Sequence, residues 1–236
     1  MPSGIVEIES KKEKKFKGYV TAPASGVYPG ILLLHQEFGL DANIRAVAEY
    51  YAANNYTVFV PDLFWRDLPG CELNSLVVSD IKTSENIVKK LNIDQSLNDV
   101  TLCLKWLRET PQCNGLVSTI GFGVGSNLSY LSGLWLDIES SVCYDFNGYD
   151  FFIENDTFIR RPMLIHLSND SYKNINTHKK EEFIKDVKNI DLKVYDYCSY
   201  NFYRVADKNY NEEFTTVANK LTLNHIKKSF AKPHTT

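Results

Sequence analysis

What this chain lacks narrows it before any motif is read. Its five cysteines (Cys71, Cys103, Cys113, Cys143, Cys198) are scattered, odd in number and without Cys-x-x-Cys spacing. They make neither a disulfide framework nor a zinc site, and read as the reduced thiols of a cytoplasmic protein. No basic excess exists: 26 Lys and Arg face 29 Asp and Glu, a formal net charge of −3 with no electrostatic footprint for nucleic acid. No run approaches the roughly 18 apolar residues of a membrane span, and no N-terminal stretch reads as a signal peptide, so no membrane role is expected. No repeat, linker or composition break divides the 236 residues, which predicts a single domain over 1–236. What is present is 44% hydrophobic and 13% aromatic content, enough to exclude disorder.

Strand and helix patterns alternate along the chain. Ile5–Ile8 and Phe16–Ala22 read as short strands around the solvated charge run at Lys11–Lys15. Gly30–His35 is a continuous apolar run, as expected of a central parallel strand covered on both faces. Asp41 follows as a candidate N-cap for a helix over Asn43–Asn54. Further strands are predicted at Tyr56–Val60, Leu116–Ile120, Ser141–Phe146, Pro162–Leu167 and Leu192–Tyr197. Helices are predicted at Ile81–Leu91, Ser96–Arg108, Ser126–Leu134, Asn176–Lys188 and Tyr210–Phe230. This alternation predicts an α/β fold, a doubly wound, mostly parallel sheet of about eight strands between helices. Ligands bind such sheets at the carboxyl ends of the strands.

One more absence is chemical. The β-branched run Leu116–Ile120 meets Gly121-Phe122-Gly123-Val124-Gly125, the layout of a nucleophile elbow, where strand and helix backbones pass close together. The apex of an active elbow is Ser, Cys or Asp; here it is Gly123, which cannot attack anything. Phosphate-binding turns share the Gly-x-Gly-x-Gly pattern. Against that reading, this turn lies mid-chain, and no acidic residue ends a following strand as a ribose ligand would.

Several segments together are similar to the dienelactone hydrolase family of α/β-hydrolases. Leu33-Leu34-His35-Gln36-Glu37-Phe38-Gly39-Leu40-Asp41 resembles the loop after its third strand, and Val60-Pro61-Asp62-Leu63-Phe64-Trp65-Arg66 its Pro-Asp-Leu-(Tyr/Phe)-Trp-Arg segment. Gly121–Gly125 falls on its Gly-x-Cys-x-Gly, His166–Asp170 on the strand end bearing its Asp, and Cys198–Arg204 on its Gly-His-x-Phe segment. The resemblance implies an α/β-hydrolase fold, a cytosolic enzyme without metal or cofactor, and a Cys-His-Asp triad acting on dienelactones and related esters. Carried over by position, the triad becomes Gly123, Tyr200 and Asp170, of which only the acid matches. The family glutamate falls on Glu37 or Gln36, and the two are left open. Its carboxylate-binding arginine falls on Arg204, while the second arginine has only Lys82 near its place.

Acyl transfer needs a nucleophile, a base near neutral pKa and oxyanion donors. The donors would be the backbone N–H of Val124 and of the Gln36–Phe38 loop, with Phe38 the candidate. A tyrosine is only about 0.1% ionised at pH 7, so Tyr200 is a poor base and is expected to donate to Asp170 at about 2.6–2.9 Å. Ser126 lies one turn from the apex. His35 and His166 read as structural histidines, Cys198 as a small buried hydrophobe, and Trp65, Phe122 and Tyr144 as core or pocket wall. A binding protein without a working triad is therefore expected, with an ester- or lactone-like ligand and an unidentified protein partner left open. The alternative is an esterase or lactonase using Ser126 or a Glu37-activated water.

Overall fold

The computed structural model describes residues 3–10, 14–146, 160–174 and 189–232. Strands β1 (Gly4–Glu9), β2 (Lys15–Thr21), β3 (Tyr28–Leu34), β4 (Thr57–Pro61), β5 (Cys113–Phe122), β6 (Ser141–Tyr144), β7 (Met163–Ser168) and β8 (Ile190–Tyr195) form one eight-stranded sheet in the order 1-2-4-3-5-6-7-8. β1 and β2 pair antiparallel, as do β2 and β4, and every pairing from β4 onward is parallel. The doubly wound sheet expected from the alternation is present. The helix expected at 176–188 and part of the charge run at 11–15 lie outside the described residues.

The helices are α1 (Ala42–Ala53), α2 (Val78–Lys90), α3 (Ile93–Glu109), α4 (Val124–Trp135), the six-residue α5 (Asn169–Asn174) and α6 (Glu212–Ala231). Asp41 does cap α1, its Oδ1 accepting the Ile44 N–H at 2.9 Å. Apolar clusters cover both faces of the sheet. One joins Ile31, Leu33 and Ile120 to α1 and α6, and the other joins Leu32, Leu34 and Val117 to α3. That two-sided cover explains why the central strands read as continuous apolar runs.

Two histidines at strand ends are structural, as expected. His35 accepts the Leu63 N–H at Nε2 (2.9 Å) and donates from Nδ1 to the Gln36 carbonyl (2.7 Å). His166 bonds the Tyr195 hydroxyl at 2.7 Å and the Thr222 hydroxyl at 2.9 Å, and Thr222 also meets the Tyr144 hydroxyl at 2.8 Å. Phe122 stacks on Tyr144, both buried, so these aromatics are core. The Pro-Asp-Leu-Phe-Trp-Arg segment braces α3: Asp99 accepts from Trp65 Nε1 at 2.9 Å and takes both guanidinium arms of Arg66.

Sheet register brings the carboxyl ends together around the elbow. Leu34 pairs with Gly121, Phe122 with Tyr144, and Tyr144 with His166. The elbow glycines are forced by contact. A Cβ on Gly121 would lie 2.1 Å from the Gly125 carbonyl oxygen, and one on Gly125 would lie 2.3 Å from that of Leu34. Both obstacles are backbone and cannot rotate away. Gly125→Ala should therefore lower stability by about 1–3 kcal/mol or more through overpacking. Gly4→Ala, with nothing within 4 Å of the added methyl, should be near neutral. Urea midpoints of the two variants check the contrast; equal midpoints would mean the turn is not packed as described.

Candidate functional site

Gly123 sits between β5 and α4 with φ 52° and ψ −119°, in the strained turn of an elbow apex. Its N–H is spent on the Tyr144 carbonyl (3.1 Å), which ties the apex to the neighbouring strand. Ser126, fully buried, donates its hydroxyl back to the Gly123 carbonyl at 2.5 Å. That hydroxyl closes the first turn of α4 and faces no cleft, so the alternative built on Ser126 loses its nucleophile.

The space where a nucleophile's side chain would begin is contested. A Cβ on Gly123 would lie 2.6 Å from Glu37 Oε2, 2.9 Å from the Tyr200 hydroxyl and 3.2 Å from Gln36 Cβ. The elbow, the β3–α1 loop and the β8–α6 loop thus converge on one point. The pair left open by sequence resolves by contact: the Glu37 carboxylate reaches the apex, while Gln36 presents only its stem. Tyr200 donates to Glu37 Oε2 at a long 3.4 Å.

Above this floor opens a cleft of about 490 Å³. Glu37, Phe38, Val124 and Tyr200 line its base, and Ile81, Ser84 and Val88 of α2 form one wall. Neither Val124 N–H nor Phe38 N–H has an acceptor among the described residues. Burial is the largest influence on both floor groups. It raises the Glu37 carboxyl above its ordinary value, against pull-down from its own backbone N–H and Arg204. It raises the Tyr200 phenol well above the usual tyrosine range, helped by the Glu37 and Asp145 charges. Tyr200 is a proton donor here.

Asp170 does not meet Tyr200. It is exposed in the first turn of α5, and the Tyr200 hydroxyl turns instead to Glu37. The carboxylate that does hold this corner is Asp145, just past β6, fully buried and at φ 50°. It accepts the Ser168 N–H at 2.8 Å, the Ser171 hydroxyl at 2.9 Å and the Asn201 N–H at 3.1 Å. These bonds tie the ends of β6 and β7 to the loop that carries Tyr200. Asp145 went unrecognised because it follows the buried strand Ser141–Tyr144 directly, and the apolar run at Ser141–Phe146 absorbed it. Its signal was an acidic residue at the carboxyl end of a central strand, and it corrects the expectation that no acidic residue ends the strand following the elbow.

Arg204 is likewise not a cleft-facing group. It is 2% exposed, gives Nη2 to Asp41 Oδ2 at 2.5 Å and Nε to the Ser75 hydroxyl at 3.2 Å, and lies 4.6 Å over the Phe38 ring. Its Nη1 has no partner and is sealed from the surface, so a ligand carboxylate cannot reach it in this arrangement. Arg204 props the wall formed by Phe38 and Ser75. Lys82 is exposed, and the α2 cation on the cleft is Lys89. Cys198 is buried, with a thiol raised to about 11 by burial and the Asp145 charge, which leaves it inert.

The dienelactone hydrolase family model matches residues 16–230. The chain belongs to the dienelactone hydrolase family. It is 27% identical over 225 residues to carboxymethylenebutenolidase 1 of Cupriavidus pinatubonensis, covering 94% of this chain and 96% of that one. It is 23% identical over 227 residues to the carboxymethylenebutenolidase of a Pseudomonas strain, covering 94% of each. Among solved structures, the dienelactone hydrolase of Anabaena variabilis superposes with a TM-score of 0.71 at 16% identity, over 96% of this chain and 97% of that one. Among the described residues no helix is long and apolar enough to cross a membrane, and no group of His, Cys, Asp and Glu could hold a metal.

A second, larger recess of about 650 Å³ lies by Lys14, Trp65, Arg66 and Asp99. Its Arg66 and Asp99 already satisfy each other, so it offers less chemistry than the smaller cleft.

The buried histidines set a pH response. Burial, with the charges of His225 and Lys193, holds the His166 imidazole down at about 3. Unfolding releases it to about 6.5, so the unfolded chain binds the extra proton between those values. His166 therefore stabilises fully above about pH 6.5 and loses that contribution as pH falls. Glu37 and Asp145, raised on folding, pull the other way. A comparison with His166→Gln isolates the imidazole. The parent's stability advantage should shrink by about 1.4 kcal/mol per pH unit below pH 6. Urea titrations at several pH values measure it, and a constant gap would show that His166 does not titrate on unfolding.

Proposed function

We propose that this family member binds a small carbonyl compound in the cleft above Gly123 and does not form an acyl-enzyme. One observation carries the reading. The volume of a nucleophile's side chain is replaced by hydrogen on Gly123 and approached by the Glu37 carboxylate and Tyr200 hydroxyl. The cleft itself remains, with the Val124 and Phe38 donors on its base. Loss of nucleophile or base costs roughly 10⁶ in turnover in a serine protease, so a site without either is a binder on that scale. A glycine apex also removes the positive-φ cost a nucleophile would bear, about 1–3 kcal/mol. The fold and family would then persist for recognition of ligand, with any protein partner engaging the same face.

A second reading has its own support. Glu37 stands beside the apex, where a water donating to its carboxylate would face the carbon of a carbonyl whose oxygen lies at the Val124 N–H. Glu37 would have to be ionised for that, so such an activity would rise with pH and vanish in Glu37→Gln.

Both readings are separated by hydrolysis of an activated aryl ester by the parent, Gly123→Cys, Tyr200→His, the double variant and Glu37→Gln. The parent should show no burst and no labelling by cysteine- or serine-directed probes at the elbow. Gly123→Cys alone should lose about 1–3 kcal/mol of stability and gain little activity. The double variant should exceed the parent, because imidazole replaces the phenol that blocks the apex and leaves Glu37 the only side-chain end to move. Parent turnover abolished by Glu37→Gln would establish the water mechanism. A folded double variant no faster than the parent would show that the cleft has been rebuilt beyond the loss of two side chains.

A further inference from the structure

We propose that the cleft selects a small ligand carrying a protonated amine together with an ester or amide carbonyl, the amine against Glu37 and the carbonyl oxygen at the Val124 and Phe38 N–H groups. It presupposes the non-acylating binding site argued above and adds the charge of its occupant. The argument starts from what surrounds the floor. Glu37 is half-buried; among the described residues no cation is bonded to it, the Arg204 charge acts on it only from a distance, and its side-chain contact is the long one to Tyr200. Behind Tyr200 stand Asp145 and Asp207, both of whose charges raise the phenol further. The nearest guanidinium, Arg204, is taken by Asp41. On the rim, exposed Lys89 and Lys208 are balanced by Glu85 and Asp207. With Asp207 and Glu85 set against the two lysines, Glu37 is the uncompensated charge of the lining among the described residues.

An anionic ligand would meet Glu37 at the apex and find no cation on the base among the described residues. A protonated amine would supply the counter-charge that the desolvated carboxylate lacks, and hydrogen bonds to a charged partner are the strong ones. The start of α4 makes the opposite demand a short distance away. Val124 N–H opens a 12-residue helix and favours an electron-rich oxygen. One ligand meets both demands if an ammonium and a carbonyl are neighbours in it. The aliphatic wall of Ile81 and Val88, with the Phe38 ring, accommodates a short hydrocarbon group beside them.

Three matched probes test this by isothermal titration near pH 6.5, where an α-amino group is protonated. Leucinamide carries amine, carbonyl and side chain; isocaproamide lacks the amine; isocaproate replaces the carbonyl with a carboxylate. Leucinamide should bind about tenfold or more tightly than isocaproamide, and isocaproate weakest. Glu37→Gln should erase the preference for the amine while retaining isocaproamide, and Lys82→Gln, exposed and off the cleft lining, should leave the preference in place. Thermal midpoints of both variants report that they fold. Equal binding of the two amides, tighter binding of isocaproate, an undiminished preference in Glu37→Gln, or no binding of any probe would each overturn the assignment. A burst of ester turnover or probe labelling at the elbow of the parent would instead overturn the non-acylating reading, leaving the amine preference to be judged on the titrations.

Discussion

The contact on which the site depends is the one between Gly125 and the carbonyls at the end of β3. A Cβ there would lie within 2.3 Å of Leu34 O and 2.6 Å of His35 O. No side chain rotation relieves that approach, so the first turn of α4 can lie against β3 only if residue 125 has none. The same packing sets where the β3–α1 loop leaves the sheet and how far it stands from the apex. Glu37 comes to face Gly123 because α4 is pulled tight against the strand that precedes Glu37. The glycines of the motif therefore do structural work that outlasts any loss of catalysis.

A second constraint holds the far side. Asp145 gathers donors from the end of β7, from α5 and from the loop before α6 onto one buried carboxylate. Removing it would strand buried donors, each costing about 1–3 kcal/mol. Its left-handed backbone is tolerated because these bonds over-determine it, the usual condition for strain at a ligand site. Asp41 does comparable double duty on the near side, capping α1 with one oxygen and holding Arg204 with the other. Both walls of the cleft are thus pinned by carboxylates that are fully occupied. Among the described residues on the floor, Glu37 is held less fully, with a long contact to Tyr200.

Most of the architecture was legible in order and type. Apolar runs marked the central strands because helices cover both their faces, and 3.6-residue periodicity marked α1, α3 and α6. Boundaries moved by one to three residues; α4, for instance, begins at Val124 and not Ser126. The six-residue α5 was missed because a single turn carries no periodicity to read. The glycine at position 123 was also plain, since an elbow is a local motif and its apex is identified by its flanking glycines.

What sequence by itself determined is therefore whatever local spacing dictates: the alternation of strands and helices, the elbow and its empty apex, and the cap at Asp41. Only the tertiary structure decided which side chains meet there. Glu37 rather than Gln36 reaches the apex, since neighbouring loop residues project in different directions. Asp170 points to solvent while Ser171 reaches Asp145, because adjacent helical residues are turned by about 100° from one another. A match good to one residue cannot choose between them. Arg204 pairs with a residue 163 positions away, and Asp145 with donors from three separate segments. Those partners are assigned by strand order and register, which no spacing within a single segment encodes.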